Sequence, residues 1–207
     1  MNTTGRTIAG AVASIATLAS CGTIDRTIGG ISRSVGVGAG APFTIESSTR
    51  NVTMTPDLRT RVFTAQGVNT ANVYLSDMTM PELTDALSRG GSGATGNLIH
   101  IHMFLMPKAG ETPVDFTAAN ATVRHYVIAD GAVGLYAGGG FFLPTDTPSK
   151  RRTLVARLGG ATLRLTDAAG PFEDRLESSD VKGGVTATRD EEAVTAIESR
   201  LPSLIGG

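Results

Sequence analysis

Gly96-Asn97-Leu98-Ile99-His100-Ile101-His102-Met103-Phe104-Leu105-Met106 is the longest strand-like run of this 207-residue chain, and it carries no acid, lysine or arginine. Its β-branched and apolar residues predict a central β-strand. A partner follows at Ala121 to Tyr136, where two β-rich runs flank Asp130-Gly131, a dipeptide suited to a two-residue hairpin turn. All three histidines of the protein, His100, His102 and His125, fall in these two segments.

Working outward, the chain reads as short strands punctuated by turn residues. Phe43 to Glu46, Asn51 to Thr55, Leu58 to Ala65 and Ala71 to Ser76 precede the central run. A helix lies between: Thr79 and Glu82 form a capping box, Pro81 sits in the first turn, Leu83 and Leu87 share a face, and Gly90 ends it. Gly91 to Gly96 matches the letters of a dinucleotide-binding loop. A helix precedes it and a strand follows, the reverse of what phosphate binding needs, so it is expected to be a connector.

Beyond the central strand, Pro107 to Phe116 is expected to be a loop, and Gly138-Gly139-Gly140 a bulge or sheet corner before Phe141-Phe142-Leu143. A second hairpin is expected from Thr153 to Arg157 and Ala161 to Thr166, joined at Gly159-Gly160, followed by strands at Phe172 to Ser178 and Val181 to Thr188. Thr188 and Glu191 are read as the start of a terminal helix with Ala193, Val194, Ile197 and Leu201 on one side. The fold class expected is mainly β: an antiparallel β-sandwich or jelly-roll-like barrel with one short internal helix and a C-terminal helix.

Residues 1 to 20 hold one charge, Arg6, and a small-residue apolar run too short to span a bilayer. The run closes on Leu18-Ala19-Ser20-Cys21, which resembles the lipobox of bacterial lipoproteins. That resemblance implies cleavage before Cys21, lipidation of its thiol and attachment to a membrane of the bacterial cell envelope. Gly22 in the next position implies the outer membrane, at its periplasmic face or at the cell surface. Residues 21 to 42, rich in Gly, Ser and Thr, are expected to be a tether, and residues 43 to 207 a single β-rich domain.

Cys21 is the only cysteine, so the domain has no thiol for a disulfide, a nucleophile or a metal. Of 18 Lys and Arg residues, Arg6 leaves with the leader; the remaining 17 face 19 Asp and Glu, a net charge of −2. No long-range field favours nucleic acid. The one basic run, Lys150-Arg151-Arg152, is expected to be a solvated loop. Asn51-Val52-Thr53 and Asn120-Ala121-Thr122 match glycosylation acceptors by chance, since no secreted disulfide framework accompanies them.

Histidines two apart on a strand project from one face, so His100 and His102 stand together, facing away from Ile99 and Ile101. His-x-His with a third histidine 23 residues after the second resembles the zinc ligands of α-class carbonic anhydrases. Carried over, this implies a zinc site of His100, His102 and His125, with hydratase or hydrolase chemistry at bound water. The chain has no tryptophan and none of the rest of that family's pattern, nor the glutamate a cupin requires shortly after its His-x-His. No Gly-x-Ser-x-Gly elbow is present. The expected role is therefore a membrane-anchored binding or structural module that needs no cofactor and meets a protein, glycan or small ligand. A three-histidine metalloprotein is the alternative.

Overall fold

The computed structural model describes residues 41–107 and 119–205. Nine strands occupy most of this length: β1 (Thr44–Ser47), β2 (Thr53–Met54), β3 (Thr60–Gln66), β4 (Thr70–Ser76), β5 (Thr95–Met103), β6 (Ala121–Ala129), β7 (Ala132–Pro144), β8 (Thr153–Ala169) and β9 (Ser178–Arg189). Two helices join them, α1 (Met80–Ser88) between β4 and β5 and α2 (Glu191–Glu198) after β9, with short 3-10 turns at Pro148–Lys150 and Leu201–Leu204. The mainly β class with one internal and one C-terminal helix is as expected.

From β3 to β9 each strand pairs antiparallel with the next in sequence. The meander then closes on itself, because the last residues of β9 run parallel to β3 at Val62↔Thr188 and Phe63↔Arg189. Lower on β9, the place beside it is taken by β1, paired over Thr44↔Lys182 to Ser47↔Ser179, with β2 outside. Of a sandwich and a barrel, these pairings give a barrel-like closed wall.

Alternation along the strands sorts side chains into two apolar clusters. Facing inward are Phe63, Val73, Leu75, Ile99, Ile101, Met103, Tyr136 and Phe142 among others. On the outer face of β4 to β7, Tyr74, Leu98, Tyr126 and Val133 pack under Leu83, Leu87, Val194, Ile197 and Leu204 of the helical layer. β5 is therefore covered on both faces from Asn97 to Ile101, which is why the decisive stretch reads as one continuous apolar run rather than an alternating one.

Local chemistry sets the element ends. Glu82 accepts from the Thr79 N–H and hydroxyl, each at 2.7 Å, and Gly90 leaves α1 at φ +61°. Asp130 and Gly131 turn at φ +48° and +85°, the mirror-image turn that suits a hairpin. The Gly91 to Ala94 connector docks on that turn, with Asp130 Oδ1 accepting from Gly93 N–H at 2.9 Å. Asn120, far from being an acceptor for sugar, is buried: its amide donates to the carbonyls of Leu105 and Phe142 and its oxygen accepts from Phe142 N–H.

Three expectations are corrected. Gly159-Gly160 is no hairpin turn: β8 runs through it as one strand, and both its ladders slip there, between Leu158 and Ala161 against β9 and between Gly140 and Phe142 on β7. A bulge absorbs the extra residue without reversing the chain. Phe172 to Glu177 forms a loop, not a strand; Phe172 lies against Gly134, where an added Cβ would come within 2.1 Å of its ring. The cap of α2 is Asp190, whose Oδ1 accepts from Ala193 N–H at 2.9 Å, not Thr188, which still belongs to β9. The loop expected at Pro107 to Phe116 lies outside the described residues from 108 onward.

Candidate functional site

Register places a polar row across the outer face: Tyr74 of β4 opposite His100 of β5, and His100 opposite Arg124 of β6. One pair along, Asn72 faces His102, and Leu98 faces Tyr126. The Asn72 carboxamide oxygen accepts from both imidazoles, His100 Nε2 at 2.9 Å and His102 Nδ1 at 2.8 Å. An amide oxygen has two lone pairs and no proton, so this geometry puts the N–H of each ring on the atom facing Asn72.

The His100 ring also lies flat on Tyr74, with centroids 4.4 Å apart and planes at 4°. Burial, with the Arg124 charge and then His102 adding to it, pushes His100 down to about 3, so the ring is neutral at ordinary pH. The Tyr74 hydroxyl donates to Glu198 Oε1 at the end of α2, 3.1 Å away, and burial first, then that carboxylate, raises the phenol well above its usual range. A strand-borne floor is thus tied to the helix that overhangs it.

Between them opens a cleft of about 470 Å³. Tyr74, His100, Arg124 and Tyr126 form its strand side, with Asp167 beyond and Glu198 and Pro202 on the helical side. Two other clefts, of about 350 and 460 Å³, lie beside Phe43 and beside α1. The charged groups of the latter are largely matched to one another, Arg59 with Glu82 and Arg89 with Asp85. Only the cleft over His100 combines aromatic rings, an imidazole and an exposed guanidinium that has no carboxylate within ion-pair distance among the described residues.

His125 belongs to a different environment. It pairs with Ile99, so it points into the barrel, away from His100 and His102. There it is fully buried; Nε2 donates to Asn97 Oδ1 at 2.9 Å, and Asn97 is held in turn by Asp77 through its amide at 2.6 Å and its backbone N–H at 2.7 Å. His125 Nδ1 has no partner, Tyr136 lies 6.0 Å away ring to ring, and burial drives His125 down to about 4. The three-histidine zinc set is therefore not assembled: a sheet wall separates the third imidazole from the other two, because 23 residues of sequence spacing return it to the opposite strand parity. Among the described residues no group of three or more His, Cys, Asp or Glu side chains could hold a metal.

Cys21 lies outside the described residues. Sequence reasoning missed Asn72, Tyr74 and Glu198, which join the site by strand pairing and by α2 folding back over the sheet. Asn72 and Tyr74 do share a parity on β4, the one signal that was legible, but the register against β5 was not. Comparison with models of protein families, with curated proteins and with solved structures finds no match.

Proposed function

We propose that the protein is a lipid-anchored binding module of a bacterial cell envelope, attached through Cys21 at the periplasmic face of the outer membrane or at the cell surface, and that it takes a glycan or similar hydroxyl-rich ligand in the cleft over His100. The observation that best supports a binding role is the make-up of that cleft. A stacked, hydrogen-bonded floor of Tyr74 and His100 is flanked by a donor, Arg124, and by acceptors, Asp167 and Glu198. A sugar presents both donors and acceptors around an apolar ring face, so it can use each of these groups at once. Preorganisation helps, because a floor already fixed by Asn72 and Glu198 loses little freedom when a ligand arrives.

Two measurements test the two halves. In cells, the Cys21→Ser precursor is expected to stay uncleaved and unlipidated; normal processing would remove the anchor from the reading. In solution, titration with envelope glycan fragments is expected to shift the His100 and Tyr126 ring resonances, with Arg124→Ala and Glu198→Ala each weakening affinity about tenfold or more, the effect of losing one charge-assisted hydrogen bond. Binding that leaves those resonances unmoved, or is indifferent to both substitutions, would place the ligand elsewhere.

A further inference from the structure

β3, β5, β7 and β9 all run in one direction, since each neighbour in the meander is antiparallel and β9 is parallel to β3. Their C-terminal ends therefore share one pole of the barrel. The large apolar side chains that stand exposed among the described residues are all at this pole: Val68 in the β3–β4 turn, 55% exposed, Phe104 and Leu105 just past β5, 43% each, and Leu143 near the end of β7, 38%. Asn120 ties two of these places together by donating to the carbonyls of Leu105 and Phe142.

The β7–β8 connection crosses the same pole, with its 3-10 turn packed on β3 and β4, and it carries Lys150-Arg151-Arg152, all exposed. Arg189, at the end of β9, fixes this segment by donating to the carbonyls of Pro148 and Arg151 while its guanidinium lies 5.4 Å over the Phe63 ring. Arg151 pairs with Asp146 at the surface; Lys150 and Arg152 have no carboxylate within ion-pair distance among the described residues. Among the described residues the other pole is net acidic: Asp130 in the β6–β7 turn, and Glu173, Asp174 and Glu177 in the β8–β9 loop against two cations, Arg175 paired with Glu173 and Arg50 paired with Glu177.

We propose that the apolar and basic pole docks on the surface of an anionic phospholipid bilayer. Side chains the size of Phe104 and Leu105 can enter the headgroup boundary, the exposed cations Lys150 and Arg152 of the same pole meet lipid phosphates, and the net acidic pole is repelled outward, so sign and hydrophobicity fix one orientation. This rests on the envelope reading only in that a membrane is at hand; it does not need the Cys21 anchor. The described residues, 41–107 and 119–205, belong to one compact unit, so a chain beginning at residue 21 with Cys21→Ser carries the pole without leader or lipid.

Sedimentation of that chain with vesicles containing phosphatidylglycerol, against pure phosphatidylcholine vesicles, is the test. The chain is expected to partition at least about tenfold more strongly onto the anionic vesicles and to be released as salt rises. Phe104→Asp/Leu105→Asp and, separately, Lys150→Glu/Arg152→Glu are each expected to lower that partition about tenfold; all four positions are exposed, and an unchanged thermal midpoint checks the fold. No binding, equal binding to both vesicle types, or variants that bind like the parent would overturn the proposal. Capture of a protein by the pole without vesicle binding would likewise overturn it.

Discussion

His100 and His125 are both neutral, and they have become so for the same reason at two places that do not communicate. Each sits at low solvent exposure with one ring nitrogen committed to an asparagine oxygen, so a proton added to the ring has little water to hydrate it. The unfolded chain leaves both near the usual histidine value of about 6.5, whereas folding holds His100 at about 3 and His125 at about 4. The sign follows from linkage. Above about pH 6.5 neither state binds the proton and stability does not vary with it; below, only the unfolded chain does, and stability is lost as pH falls toward the folded values. The expected slope between pH 6.5 and 4.5 is of the order of 1 kcal/mol per pH unit for each histidine. Below that window the carboxylates of Glu82 and Glu177, both lowered by their hydrogen bonds, add to the loss. Urea unfolding across that window checks this, and His125→Leu is expected to remove about half of the slope. A slope unchanged in that variant would mean that His125 protonates in the folded state.

At the scale of elements, glycines mark where two strands come closer than side chains allow. A Cβ on Gly138 of β7 would sit 1.9 Å from the Thr162 carbonyl oxygen of β8, a backbone clash that no rotamer relieves. At Gly160 in the β8 bulge an added Cβ meets nothing within 4 Å, and only its φ of +72° opposes substitution. Gly138→Ala is thus expected to destabilise by several kcal/mol and Gly160→Ala by about 1 kcal/mol, compared by denaturant midpoints. The same pair shows what the sequence could and could not convey. Asp130-Gly131 announced its hairpin because the turn is local, and Thr79 with Glu82 announced a helix start for the same reason. Gly159-Gly160 has the same letters as a turn, but its partners on β7 and β9 keep the ladder going, and that information lies in other strands. The histidines repeat the lesson: the pairing of His100 with His102 follows from two-residue parity, whereas the position of His125 depends on the β5–β6 register.

For the whole molecule, closure is the least secured feature. Most strand pairs run for seven residues or more, while β3 meets β9 over Val62↔Thr188 and Phe63↔Arg189 only. The Asp190 amide, which donates across the seam to the Phe63 carbonyl at 3.1 Å, is expected to exchange with solvent orders of magnitude faster than amides at the centre of β5 and β6. Uniform protection around the wall would show that the seam opens only with the whole barrel. The mainly β class was legible because it depends on composition and turn spacing; the seam was not, because nothing near Val62 distinguishes a parallel partner so far along the chain.

The insertion of β1 beside that seam has a mechanical meaning. Residues Thr44–Ser47 are hydrogen-bonded to β9 but stand outside the ring that β3 to β9 close. Tension drawn through the chain before residue 41 meets the Gly184 N–H to Ala41 carbonyl bond first, and only then the four-residue ladder from Thr44 to Ser47. β1 is in effect a stopper: Phe43 and Ile45 are buried in the inner core, so a pull from the N-terminal side that strips β1 from β9 uncovers that core beside the seam.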